Sequence, residues 1–357
     1  IIIFIINLTF GMIIELSEIN LGAILNVNKY LYEYVKFIRL IENLKTERNK
    51  SCEELPFPFN KFREGQRKLA KYSYNIAKKG GILFVEAPTG IGKTVSTLYP
   101  FIKSFKDEYN EKIFYLTAKT SGRLAAFDTV ELLKNNGLKA REIIISAKDK
   151  ICFNKKCRGC NPDVCPYAKD YYTKITDVII ETLSNYDTYD NDLICKIANE
   201  NKICPFEFQL DLSLYSDIII CDYNYLFDPI VYMQRYFDND SSQFLCLVDE
   251  AHNLVERGRE MYSAALYKED FLEIKRKTKL LYPKLARYLE ACNKIMLAWK
   301  RECENYCIQE SISHFTLKLT NVMSEFEKIM DAIKAIRNRR SEMNVPPSKK
   351  AGIFIET

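Results

Sequence analysis

The sequence predicts an α/β fold: a parallel sheet with a phosphate loop at its carboxyl edge, a cysteine-rich insertion, and a helical region after it. Three observations predict it. The apolar run Ile82 to Val85 leads straight into Glu86-Ala87-Pro88-Thr89-Gly90-Ile91-Gly92-Lys93-Thr94, and a second apolar run, Phe244 to Val248, ends in Asp249-Glu250-Ala251-His252. Between the two lie Cys152, Cys157, Cys160, Cys165 and Cys204. Short, uninterrupted apolar runs are what strands buried on both faces look like, and in such sheets ligands gather at the carboxyl ends.

The first run is read as a buried strand feeding a nucleotide phosphate cradle. A Gly-rich turn lets backbone N–H groups point at phosphate oxygens, and a helix opening near Thr94 adds its dipole. Lys93 neutralises the β- and γ-phosphates in this reading, and the Thr94 hydroxyl ligates Mg²⁺. The usual pattern begins with Gly, and Ala87 stands in its place. After the second run, Asp249 is expected to hold Mg²⁺ through its water shell and Glu250 to orient and deprotonate the attacking water, with His252 beside them.

Composition sets the bounds. The 357 residues, 47% hydrophobic and 28% charged, are enough for two or three cores. A net charge of +5 permits a nucleic-acid partner without demanding one. The apolar opening, Ile1 to Ile14, has no basic leader and is too short to span a bilayer, so it is read as a buried strand or a fragment edge. The chain is read as cytoplasmic and as a piece of something longer, since it does not begin with Met.

The chain has twelve cysteines. Cys221 and Cys246 sit inside strand-like runs, and Cys292 lies on the helical stripe Leu285, Tyr288, Leu289, Cys292, Ile295, Met296, Trp299, so these are expected in cores. The loop cysteines are read as a metal site rather than a disulfide framework. Cys157-Arg158-Gly159-Cys160 is half of a Cys₄ zinc site by spacing, and an iron-sulfur cubane takes four thiolates equally well. Donor chemistry alone leaves both open.

The order of these motifs, with Cys204-Pro205-Phe206-Glu207 and an apolar strand into Asp222-Tyr223-Asn224-Tyr225-Leu226, resembles the iron-sulfur helicases of superfamily 2, the XPD and DinG group, and most of all the bacterial DinG-like proteins. The resemblance runs from about Pro56 to Val255. It implies a RecA-like P-loop sheet (helicase domain 1), ATP with Mg²⁺, a [4Fe-4S] cluster, and single-stranded or forked DNA as partner. It further implies 5′ to 3′ unwinding in repair or replication, with no membrane involved. Residue by residue, Cys152, Cys165 and Cys204 match three cluster ligands. Cys160 is favoured as the remaining one, with Cys157 as its alternative.

Other positions take meaning from the same resemblance. Gln66, in Phe62-Arg63-Glu64-Gly65-Gln66, resembles the glutamine motif, whose amide pairs with the adenine edge. Thr117, Lys119 and Thr120, after the strand at Ile113 to Leu116, resemble a motif that touches the DNA backbone. Lys148, Lys150, Lys155, Lys156 and Arg158, with Tyr167, Tyr171 and Tyr172, suggest a basic groove with stacking platforms. The insertion shows no obvious hydrophobic core, so a cluster is expected to pin it.

The expected organisation is an apolar and helical segment at 1–55, carrying the amphipathic stripe Leu31, Tyr34, Val35, Ile38. The motor follows at 56–146 and 206–265, the iron-sulfur domain lies at 147–205, and a partial helical arch at 266–357 includes Val322, Phe326, Ile329, Met330 and Ile333. A second motor domain, needed to close over ATP, is expected to be missing. The competing reading is a non-enzymatic, nucleotide-switched nucleic-acid-binding module with a structural zinc.

Overall fold

The structure, a computed structural model, describes residues 21–88, 90–107, 110–155, 160, 162–237, 244–303, 309 and 311–342. The apolar opening, Thr89, Lys156, Cys157, Arg158 and Cys307 lie outside the described residues. The chain divides into two compact units, Ile1–Tyr262 and Ser263–Thr357.

In the first unit the described elements are α1 (Leu21–Glu54), α2 (Gln66–Lys79), α3 (Lys93–Lys103), β1 (Lys112–Leu116), α4 (Thr120–Asn135), β2 (Glu142–Ile144) and α5 (Lys148–Ile151). They continue with α6 (Tyr171–Asn185), β3 (Thr188–Tyr189), α7 (Asn191–Asn201), α8 (Pro205–Ser213), β4 (Ile218–Cys221), α9 (Asn224–Phe227), β5 (Phe244–Val248) and α10 (Asn253–Met261). The strands pair in the order β3-β2-β4-β1-β5, every pair parallel. This is a parallel α/β sheet with helices on both faces.

Because successive strand residues point to opposite faces, the sheet feeds two cores. Phe114, Leu116, Ile143, Ile219 and Cys221 join the core on one face, covered by α6, α7 and α8. Ile113, Tyr115, Ile218 and Ile220 join the other, under Leu98, Phe101 and Ile102 of α3 and Val130 and Leu133 of α4. At the sheet's amino edge, the half-buried Lys112 donates through Nζ to the carbonyl oxygens of Leu214 (2.6 Å) and Ser216 (2.7 Å), satisfying orphan acceptors just past α8.

Four expectations need correction. Ile82 to Val85 is not a strand, and Ile82 and Phe84 are 82% and 89% exposed. Gly80 (φ +72°) and Gly81 (φ +110°) swing the chain out of α2 on a path that does not offer its backbone to β5, whose outer edge is unpaired among the described residues. For the same reason Cys246, expected in the core, is exposed on that edge strand.

On α1, the stripe Leu31, Tyr34, Val35, Ile38 faces outward, and Phe37, Leu40, Ile41 and Leu44 pack instead. Arg48 sets this rotation, since its guanidinium pairs with Asp217 at 2.7 Å and lies 4.3 Å over the Phe105 ring. Finally, the insertion is not coreless. Ile151, Tyr171, Ile175, Val178, Ile179, Ile194 and Ile197 merge with the sheet's own core, and β3 is the sheet's edge strand.

The second unit contains α11 (Lys268–Thr278), α12 (Pro283–Glu302) and α13 (Ser313–Glu342). Phe271, Leu285, Leu289, Cys292 and Phe315 form its core, with Ile295, Met296, Trp299, Val322 and Ile329 against it. Phe326, Met330 and Ile333, read from the sequence as part of the same helical periodicity, are exposed. Among the described residues no helix is long and apolar enough to cross a membrane.

Candidate functional site

The phosphate loop is shaped by backbone conformations that only glycine adopts freely. Gly90 (φ +85°) and Gly92 (φ +82°) both lie in the left-handed region, and α3 begins immediately after, at Lys93. The preceding segment clamps the loop. Arg63 donates through a guanidinium nitrogen to the Gly90 carbonyl at 2.5 Å, and a Cβ on Gly65 would lie 2.8 Å from the Ile91 side chain. Gln66, only 2% exposed, accepts from the Arg63 N–H at 2.7 Å, and its Nε2 sits 2.5 Å from where a Cβ on Gly92 would be. Its amide is therefore engaged with the backbone and the loop. Sequence reasoning missed Arg63, although it stands within the quoted motif.

The carboxylates arrive from β5. The Asp249 N–H donates to the Leu116 carbonyl at 2.9 Å, carrying the ladder one residue past the strand. Glu250 then takes φ +51°, a left-handed conformation that costs a non-glycine residue roughly 1 kcal/mol. Its Oε1 comes to 3.5 Å from Lys93 Nζ and its Oε2 to 3.5 Å from His252 Nδ1. The Tyr223 hydroxyl donates to the carbonyls of both Asp249 and Glu250, fixing the turn.

Tyr115, on β1, places its hydroxyl against both Thr94 and Asp249, and burial, then the Asp249 charge, push that phenol well above its ordinary range. Ala87, Lys93, Thr94, Asp249, Glu250 and His252 line one cavity of about 1450 Å³. Pro88, Gly90, Ile91 and Gly92 complete the loop, and Thr89 lies outside the described residues.

The cysteines also converge. Cys152, Cys160, Cys165 and Cys204 line a second cavity, of about 150 Å³, walled by Phe153, Tyr167 and Tyr171. Cys204 sits at the N-cap of α8, where Pro205 occupies the first turn and the N–H groups of Phe206 and Glu207 favour its thiolate, although burial pushes the thiol up overall. The Lys148 ammonium is held above its ordinary range chiefly by its hydrogen bond to Cys160. Behind the cavity, the Tyr171 hydroxyl donates to Asp211 at 2.7 Å, and Arg235 pairs with the same carboxylate at 2.5 Å. Among the described residues, no group of three His, Cys, Asp or Glu side chains is arranged to hold a single metal ion.

The expected nucleic-acid contacts separate into offered and withdrawn. Lys119 and Thr120 are exposed, whereas Thr117 is 1% exposed. Lys148, Lys150, Lys155 and Tyr172 are exposed, and Tyr171 is buried.

Residues 127–271 match the family model DEAD_2. The chain is 25% identical over 243 residues to the regulator of telomere elongation helicase 1 homolog of Caenorhabditis briggsae, covering 56% of this chain and 24% of that protein. It is 25% identical over 244 residues to the general transcription and DNA repair factor IIH helicase subunit XPD/RAD3 of Saccharomyces cerevisiae, covering 57% and 30%. A solved structure titled XPD_Helicase superposes with a TM-score of 0.47 at 18% identity, covering 78% of this chain and 48% of that one. The chain thus spans under a third of the length of these two curated relatives. By its sequence it is similar to helicases of the XPD/DinG-like group of superfamily 2.

Proposed function

We propose that this chain is the first motor half of an ATP-dependent DNA helicase of the bacterial DinG type, which translocates 5′ to 3′ on single-stranded DNA and opens forked duplex in repair or replication in the cytoplasm. The carrying observation is the meeting of Lys93, Thr94, Asp249 and Glu250, from two distant segments, around one cavity. A triphosphate entering the loop would draw the Lys93 ammonium from Glu250 to the β- and γ-phosphates. That releases the Glu250 carboxylate to orient water and accept its proton, with His252 at its other oxygen. Thr94 and Asp249, whose side chains share the Tyr115 hydroxyl, present hard oxygen donors that fit Mg²⁺. Mg²⁺, when bound, would neutralise charge on the transferring phosphoryl group.

The same reading gives the four cysteines, which share one cavity, to a [4Fe-4S] cluster; the resemblance of their order to the iron-sulfur helicases supports this over zinc, which thiolate donors suit equally well. Cys152, Cys160, Cys165 and Cys204 would hold it, and the cluster would supply a cross-link tying α5, the loop before α6 and α8 together. We assign 147–205 to this iron-sulfur domain, 56–146 and 206–265 to the motor, and 266–357 to a helical arch. A second motor domain, supplying the arginine finger, is proposed to lie outside this sequence.

The test is Glu250→Gln in the longer parent. Hydrolysis should fall by about 10²–10⁴-fold, the usual worth of a general base, while nucleotide still binds. Unchanged DNA-stimulated hydrolysis would sink the assignment.

A further inference from the structure

We infer that Gly122 is a positioning residue through which nucleic acid, bound at the start of α4, is coupled to the nucleotide site. This rests on the reading of the two ligands given under Proposed function. Gly122 is the third residue of α4 and has no positive φ, so backbone freedom does not explain a residue that costs a helix roughly 0.5–1 kcal/mol against alanine. Close approach does. A Cβ there would lie 2.3 Å from Thr117 Oγ1 and 3.1 Å from Asp249 Oδ2.

Neither neighbour is free to give way. Thr117 is buried, and its Oγ1 accepts from the Lys119 N–H at 3.4 Å. Asp249 is tied by its N–H to Leu116 and by its carbonyl to Tyr223. The first turn of α4 therefore rests directly on the carboxylate proposed to hold Mg²⁺, while Lys119 and Thr120 stand exposed at the opening of the same turn.

The next residue extends the tie. Arg123 reaches Asp222 at 3.7 Å, and Arg257 of α10 takes the same carboxylate at 3.2 Å together with Asn224 Oδ1 at 2.9 Å. The start of α4, the turn after β4 and the helix after the Asp249-Glu250 turn are thus braced on one another. A phosphate that draws on Lys119 or Thr120 moves a turn whose inner side touches Asp249, and by linkage the nucleotide's Mg²⁺ site acts back on it.

The test uses the 357-residue chain and measures the affinity of oligo(dT) with and without a non-hydrolysable ATP analogue plus Mg²⁺. The readout is the ratio of the two affinities, taken at an analogue concentration that saturates each variant, so that a weakened nucleotide site alone does not move it. The expected ratio is about fivefold or more in the parent sequence. In Gly122→Ala both ligands should still bind, with the ratio collapsing to within about twofold of unity, below the usual range for coupled sites.

A ratio unchanged in Gly122→Ala, or a parent that binds both ligands with no coupling, overturns the inference and leaves the helicase reading standing. A 357-residue chain that binds neither ligand also overturns the inference, which needs both ligands to seat on this unit, and leaves the helicase reading to the Glu250→Gln test in the longer parent. If Gly122→Ala does not fold, Arg123→Met decides, since it cuts the tie to Asp222 without crowding Asp249. A loss of coupling of about threefold supports the inference, and an unchanged ratio overturns it.

Discussion

The nucleotide edge and the cysteine pocket lie in one compact unit and are built by opposite means. At the nucleotide edge, backbone conformation does the positioning: left-handed Gly90, Gly92 and Glu250 aim groups that sit on regular elements. In the cysteine pocket Cys152 and Cys204 stand at the ends of short helices, and Cys160 and Cys165 come from the loop between α5 and α6. One site is thus fixed by the sheet before any ligand arrives. The other would gain its hold on those loops from the proposed cluster, although the helices behind it share the sheet's core.

The largest test of this contrast is Cys165→Ser or Cys204→Ser in protein purified without oxygen. Iron and acid-labile sulfide should be lost almost entirely while nucleotide binding persists, because the core behind the pocket needs no metal. Zinc without sulfide in the unsubstituted protein would remove the cluster. The reciprocal change, Gly92→Ala, demands a left-handed φ from a residue with a Cβ and drives that Cβ to 2.5 Å from Gln66 Nε2. Nucleotide affinity should fall about tenfold, equivalent to 1.4 kcal/mol, with iron content unchanged by metal analysis.

Arg48→Met should strike both sites equally, since it strands the Asp217 carboxylate beneath the shared sheet. A loss of about 3 kcal/mol in denaturant unfolding is expected for breaking such a pair. The smallest effect depends on pH. Glu142, fully buried on β2, is pushed from 4.5 up to about 8, mainly by burial, with Lys134 at 3.1 Å opposing. The folded chain keeps this proton between those values and the unfolded chain releases it, so stability falls as pH rises through the window. Glu142→Gln should flatten that slope, gaining roughly 2–4 °C in Tm over the parent at pH 8 and almost nothing at pH 5.

Much of both sites was legible because their chemistry is local in sequence. The glycines, Lys93, Thr94, Asp249 and Glu250 announce themselves by spacing, and Cys152, Cys160, Cys165 and Cys204, singled out in sequence, line one cavity. What was not legible depends on tertiary partners. The apolar quality of Ile82 to Val85 says strand, but whether it pairs is decided by two glycines upstream. The stripe on α1 follows helical period, yet which face turns inward is set by Arg48 finding Asp217 far along the chain. Tyr115 and Gly122 carry no motif of their own, and only the fold brings them to the site; Arg63 stands inside the glutamine motif, but its partner, the Gly90 carbonyl, is set by the fold.

The Arg48–Asp217 clasp also bears on how this protein can be cut. The recognisable motor motifs begin near Pro56, which invites an expression boundary there, but Asp217 also accepts from the Arg141 N–H at 2.7 Å, at the start of β2. Removing α1 would leave that carboxylate beneath the sheet without its cation and uncover the aromatic face that Phe37 covers at Tyr215. A fragment starting after the helix would carry every motif and aggregate, whereas one starting before Phe37 keeps its own plug.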